Sequence, residues 1–157
     1  MSNAGLSIAE ANNFMALEGR LIALVQGAVQ HMVPAVHVLT AADLADVKEA
    51  VQKTPAVHVI YGGYQVEEDM GTSWRLAHTW FVVAAVRNVA TTRSGQAARQ
   101  DAGALAAHVV GALAGAQVPG AVRPLTLITP PPAGYAAGYL YLPTAFRAET
   151  IFRKPQT

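Results

Sequence analysis

Residues 74–89 read Trp-Arg-Leu-Ala-His-Thr-Trp-Phe-Val-Val-Ala-Ala-Val-Arg-Asn-Val. The run is too long, too β-branched and too aromatic for anything but a major strand. Alternation places Trp74, Leu76, His78, Trp80, Val82, Ala84 and Val86 on one face. Arg75, Ala77, Thr79, Phe81, Val83, Ala85 and Arg87 share the other. The second half is apolar on both faces, which predicts a central position covered on both sides. The first half is more polar and is expected to protrude beyond the sheet.

The flanking pattern supplies the other elements. Ser7-Ile8-Ala9-Glu10 matches a capping box. From Phe14, the positions Leu17, Leu21, Leu24, Val25 and Ala28 fall on one helical face, predicting a helix to about His31, before Pro34. A short strand is predicted over 34–38. A capped short helix from Thr40-Ala41-Ala42-Asp43 to about Lys53 carries Leu44, Val47 and Val51 inward. A second strand over 55–61 is expected to stop at Gly62-Gly63. Pro-Ala-Val-His-Val occurs at both 34–38 and 55–59, which reads as two neighbouring strands meeting the same local demands rather than as a repeat protein. Residues 64–73, with Glu67-Glu68-Asp69 and Gly71, read as a hairpin arm or mobile loop.

After the turn at Thr91-Thr92-Arg93-Ser94-Gly95, an alanine-rich helix is predicted from about Gln96 to Leu113. Pro124 demotes 122–128 to an edge strand. Pro130-Pro131-Pro132 is an extended connector. The closing strands, 139–142 and 145–152, are separated or kinked at Pro143. The fold class is therefore α+β: a mixed or antiparallel sheet with two longer helices and one short helix packed mainly on one face.

At 157 residues the chain suits a single α+β domain, 1–157. Residues 1–6 are set aside as a flexible N-terminus or tag remnant, and 154–157 as a tail. Apolar residues make up 52% and charged residues 13%, so a large core or a partner-covered surface is expected. Net charge is +1 with no basic run, giving no reason to expect specific nucleic-acid binding. No apolar stretch is long enough for a membrane span, and no signal peptide is read. The absence of cysteine removes disulfides and thiolate chemistry.

Candidate chemistry is sparse. No GxGxxG, GxxxxGK, GxSxG or HExxH pattern occurs. His37 and His58 occupy equal places in the repeated pentapeptide, and with His78 they form the one metal arrangement worth weighing. The default is that both alternate outward between inward valines. His31 and His108 suit helix surfaces or ends. Glu67-Glu68-Asp69 suits a solvated tip better than a tuned catalytic site. No catalytic residue, cofactor or metal is expected, and no enzyme activity.

The order of these motifs resembles a known family. Thr40-Ala41-Ala42-Asp43-Leu44 is followed by Thr54-Pro55-Ala56-Val57-His58-Val59-Ile60, then Tyr61-Gly62-Gly63. A polar loop leads to Trp80-Phe81-Val82-Val83-Ala84-Ala85-Val86-Arg87-Asn88-Val89 and an alanine-rich helix. Over roughly 14–129 this resembles the phage tail terminators of tailed phages and prophages; 139–153 carries no recognised family pattern. The resemblance implies a structural virion protein of the tail, made in the bacterial host cytoplasm. It implies a homohexameric ring on the head-proximal end of the tail tube, which stops tube polymerisation and offers a surface for head joining. The implied partners are further copies of itself, the tail tube protein and a head–tail connector or neck protein. The candidate subunit or tube interface is Tyr64, Glu67, Glu68, Asp69, Trp74, Arg75, Arg87, Asn88 and Arg93. Alternatives are another neck, tail-completion or head-closure protein and, less favoured, a His-site metal- or ligand-binding protein.

Overall fold

The computed structural model describes residues 8–41, 53–87, 92–136 and 138–155. Among these residues three helices, α1 (Ile8–Ala11), α2 (Glu18–Val29) and α3 (Thr92–Leu113), accompany six strands. The strands are β1 (His37–Thr40), β2 (Ala56–Asp69), β3 (Ser73–Arg87), β4 (Thr126–Ile128), β5 (Gly134–Ala136) and β6 (Tyr139–Arg153). They form one mixed sheet in the order β1-β2-β3-β6-β4, with β5 also on the outer edge of β6. Only β1 and β2 run parallel. The fold is thus α+β with a mixed six-stranded sheet and two longer helices. The predicted short helix over 40–53 falls largely on 42–52, outside the described residues.

The predicted faces of β3 separate two cores. Trp80, Val82 and Ala84 pack with Val57, Val59 and Phe146, beneath Leu21 and Val25 of α2 and Leu105 and Val109 of α3. Val83 and Ala85 join Ala56, Ile60 and Tyr141 on the opposite face. Helix α2 buries Leu21, Val25 and Val29, one residue every turn. Where α2 ends, His108 of α3 donates from Nε2 to the carbonyl of Ala28 at 2.6 Å, meeting a helix-end acceptor. Helix α3 terminates before Gly115, whose φ of +77° suits a residue without Cβ.

Several boundaries differ from the sequence expectation. Helix α2 begins at Glu18, not Phe14, because α1 is followed by turns through Asn13 and Leu17. It ends at Val29, short of His31. The first strand is His37–Thr40 rather than 34–38; the His37 amide reaches the carbonyl of Pro55 at 3.0 Å as the pairing starts. The repeated pentapeptides do lie on neighbouring strands, but His37 aligns with Ala56, and Leu39 with His58. Helix α3 starts at Thr92 instead of Gln96.

Two differences bear on function. Gly62-Gly63 does not stop β2. The pair sits in a register shift between Tyr61 and Tyr64, where Gly63 takes φ +93°, and pairing with β3 resumes to Asp69. Nor does Pro143 divide the closing strand. Strand β6 pairs with β3 from Tyr139 through Arg153. On its other edge, β5 stops at Tyr141 and β4 begins at Ala145, so the proline's missing donor falls in a gap of the ladder. The outer edge of β6 is closed further along. Asn12 donates from Nδ2 to the Arg153 carbonyl at 2.7 Å and accepts from the Arg153 amide at 3.1 Å. The Val122 amide meets the Glu149 carbonyl at 2.8 Å.

No atom lies within 4 Å of a Cβ added to Gly63, so its substitution tests backbone conformation alone. Gly63→Ala is expected to lower unfolding stability by about 1–2 kcal/mol, read as a lower denaturant midpoint with unchanged slope.

Candidate functional site

The region 64–73 is a strand hairpin, not a loop. Its turn at Met70-Gly71-Thr72 is closed by the Met70 amide on the Ser73 carbonyl at 2.9 Å, with Gly71 at φ +88° and the Asp69 carboxylate accepting from its amide. The start of β3 and the end of β6 extend alongside it, making a three-stranded arm. The Lys154 amide ties the chain leaving β6 to the Thr72 carbonyl at 2.8 Å.

The arm has two unlike faces. On the helix side, Phe14 stands edge-on to Tyr64 at 4.9 Å and to Phe152 at 5.8 Å. Trp74 lies 6.0 Å from Phe152. Beneath them, His78 is buried between Tyr61 and Thr150, with Nδ1 2.7 Å from the Tyr61 hydroxyl and Nε2 2.9 Å from Thr150 Oγ1. A neutral imidazole has one donor and one acceptor, and either hydroxyl can play either part, so both ring nitrogens are satisfied without charge. Burial lowers the His78 pKa from 6.5 to about 4.

The opposite face is ionic. Arg75 Nη1 is 3.3 Å from Glu68 Oε2, and its Nε is 3.3 Å from Glu149 Oε1. The Nε contact lacks hydrogen-bond alignment, so it is a Coulombic pair. Arg123 Nε is 3.4 Å from the second Glu149 oxygen. Glu149, only 12% exposed, is shared by two guanidinium groups and links three strands to the segment before β4.

Of the candidate interface residues, Tyr64, Glu67, Glu68, Asp69, Trp74 and Arg75 come together on this arm. Arg87 does not. It ends β3 some 40 Å away, twelve residues from Arg75, lining a cleft of about 340 Å³ with Asp101, Pro34 and Pro55. Asn88 and the side chain of Arg93 lie outside the described residues. Sequence reasoning missed Phe14, Thr150, Phe152, Arg123 and Glu149. Alternation along β6 separates Glu149 from Thr150, but only the register shows which β3 face each joins. His37 and His58 share the face opposite His78, so the third ligand weighed for a metal is on the wrong side of the sheet. Burial also lowers the His58 pKa. Among the described residues no group of three or more metal-ligating side chains occurs, and no helix is long and apolar enough to cross a membrane.

Comparison with known proteins adds the decisive observation. The family model of the phage tail terminator protein matches residues 14–157. The chain belongs to the phage tail terminator family. The match runs to the end of β6, correcting the expectation that family likeness fades before 139. Among solved structures, a chain from the "Virion of native gene transfer agent (GTA) particle" is similar, with a TM-score of 0.49 and 19% identity over 85% of this chain and 96% of that one. No curated protein matches. Membership makes this tail terminator homologue a structural protein of the virion tail. The family match begins at Phe14, the ring that covers the aromatic face of the arm.

Two outcomes are expected in this family member. The unfolded chain binds the His78 proton more readily than the folded one, so the stability tied to the neutral ring is complete above pH 6.5 and is lost as pH falls toward 4. Unfolding free energy should drop by up to about 3 kcal/mol over that range, and His78→Asn should flatten the slope in denaturant titrations at stepped pH. Arg75→Met should cost roughly 1 kcal/mol at low salt, with the difference shrinking in 1 M salt.

Proposed function

We propose that the protein forms a ring, a hexamer, on the head-proximal end of the tail tube, stops tube growth and presents the surface to which the head joins. The observation that carries this reading is the family match over residues 14–157. The arm supports it. A stretch of sheet with exposed Tyr64, Val66 and Met70, continuing past the helix-covered core, suits a contact surface rather than a reaction centre. A ring needs two different complementary surfaces on each subunit, joined by a heterologous contact that closes by rotation. In this reading Tyr64, Glu67, Glu68, Asp69, Trp74 and Arg75 meet a neighbouring subunit or the tube, and the role is structural rather than catalytic. Arg87, at the other end of β3, is a candidate for the second surface, together with Asn88 and Arg93.

The test is tube assembly with purified tube protein. With this protein present, tubes should stop lengthening and carry a ring at one end by electron microscopy. Tyr64→Ala combined with Trp74→Ala should restore growth. Tubes that lengthen at the same rate with and without the wild-type protein refute the reading. Normal-length tails that fail to join heads when the protein is missing point instead to a neck or head-closure role.

A further inference from the structure

The sheet leaves two strand edges open, on opposite sides of the subunit. Strand β1 covers β2 only over Ala56–Val59, and among the described residues nothing pairs with the outer edge of β2 from 60 to 69. On the other side, β4 and β5 end the sheet. Leu125 already bonds outward, its amide to the Ala116 carbonyl and its carbonyl to the Gly115 amide. By the alternation of backbone groups along a strand, the next outward pair belongs to Leu127 and is open among the described residues. Open edges are templates for strand addition.

Apolar exposure gathers at the same two places. Among the described residues, five of the seven exposed large apolar side chains lie there: Tyr64, Val66 and Met70 on the arm, Leu127 on β4 and Tyr135 on β5. The registers place Tyr64, Val66, Leu127 and Tyr135 on one face of the sheet, the face bearing Trp80 and Val86. Edge-to-edge pairing preserves faces, so Tyr64, Val66 and Leu127 would flank one another across a seam.

Charge and direction select the arrangement. The β2 edge carries Glu67, Glu68 and Asp69, while residues 122–136 carry one charge, Arg123. Two β2 arms side by side would crowd two acidic triads, whereas β4 brings no acid to the seam. Strand β2 runs with β6, and β4 and β5 run against β6. Copies related by rotation about an axis roughly along the strands therefore meet antiparallel.

We infer that the occupant of the β2 edge is the β4 edge of a second copy, so that one sheet continues from subunit to subunit. This deepens the ring reading and rests on it. Aligning Val66 with Leu127 needs a stagger of four residues, because Val66 stands opposite Leu76 and Leu127 is level with Trp80. That is about 13 Å, and closed sheets require tilted, staggered strands.

The chain has no cysteine, so introduced thiols report alone. In a full-length Val66→Cys/Leu127→Cys variant, the two positions are separated by three strand spacings, at least about 14 Å, too far for a bond within one chain. Oxidised on capped tubes, it should give a ladder of covalent multimers on a non-reducing gel, roughly tenfold above a Val66→Cys/Val33→Cys control. Gln65→Cys with Ile128→Cys, the pair that the same register sets opposite each other on the other face, should give the same ladder and guards against a folding defect in the first variant. Rings that assemble without a ladder in either variant overturn the seam and leave the ring reading standing. Dimers from Val66→Cys alone overturn it in favour of arm-to-arm pairing. The absence of any ring on tube ends with wild-type protein overturns both readings.

Discussion

Every residue of β3 from Ser73 to Arg87 is paired with β6, and this unbroken ladder is the constraint on which the rest of the molecule depends. A strand carries a backbone donor and acceptor at almost every position, and each must be met. The apolar half of β3 is covered on both faces by packed side chains. Its other half outruns the helices, yet its backbone needs are the same. The partners must follow it outward, so β2 extends through the Gly62-Gly63 irregularity and β6 through Pro143. The arm is the sheet continuing where the core has ended.

Beyond the core, cohesion changes in kind. Large aliphatic side chains give way to rings on one side, with Phe14 closing over Tyr64 and Phe152, and to shared charge on the other, with Glu149 between Arg75 and Arg123. Both arrangements draw in residues far away in sequence: Phe14 from the start of the chain, Arg123 from the approach to β4 and Asn12 as a clasp on Arg153. Exposed ion pairs are individually weak. The arm is therefore held mainly by backbone pairing and aromatic cover, and its ionic face is the more easily rearranged.

What the sequence made legible was periodicity. The two faces of β3 follow from alternation alone, and the inner stripe of α2 from helical spacing. The extent of the strands was not legible, because Gly62-Gly63 and Pro143 carry strong local signals for stopping. Both were overridden by long-range pairing: the glycines by a bulge, the proline by a gap between β4 and β5. For the candidate site, the acidic stretch and Trp74 were readable as an arm. Its supporting residues were not, since Glu149 and Phe152 join it through a register that no local pattern encodes. Arg87 closes β3 at the end opposite the arm, as extended geometry requires of a residue twelve positions from Arg75.

The late position of β6 in the chain has a consequence for manufacture. Residues 139–153 leave the ribosome after every other strand, yet they complete the open side of β3, anchor β4 and β5 and back the arm. A nascent or truncated subunit lacks the strand onto which its second edge docks. Such a molecule has no anchored β4 edge, one of the two surfaces that the proposed seam requires. Under the proposed edge-to-edge joining, a copy that lacks β6 is barred from the assembly without any separate inspector.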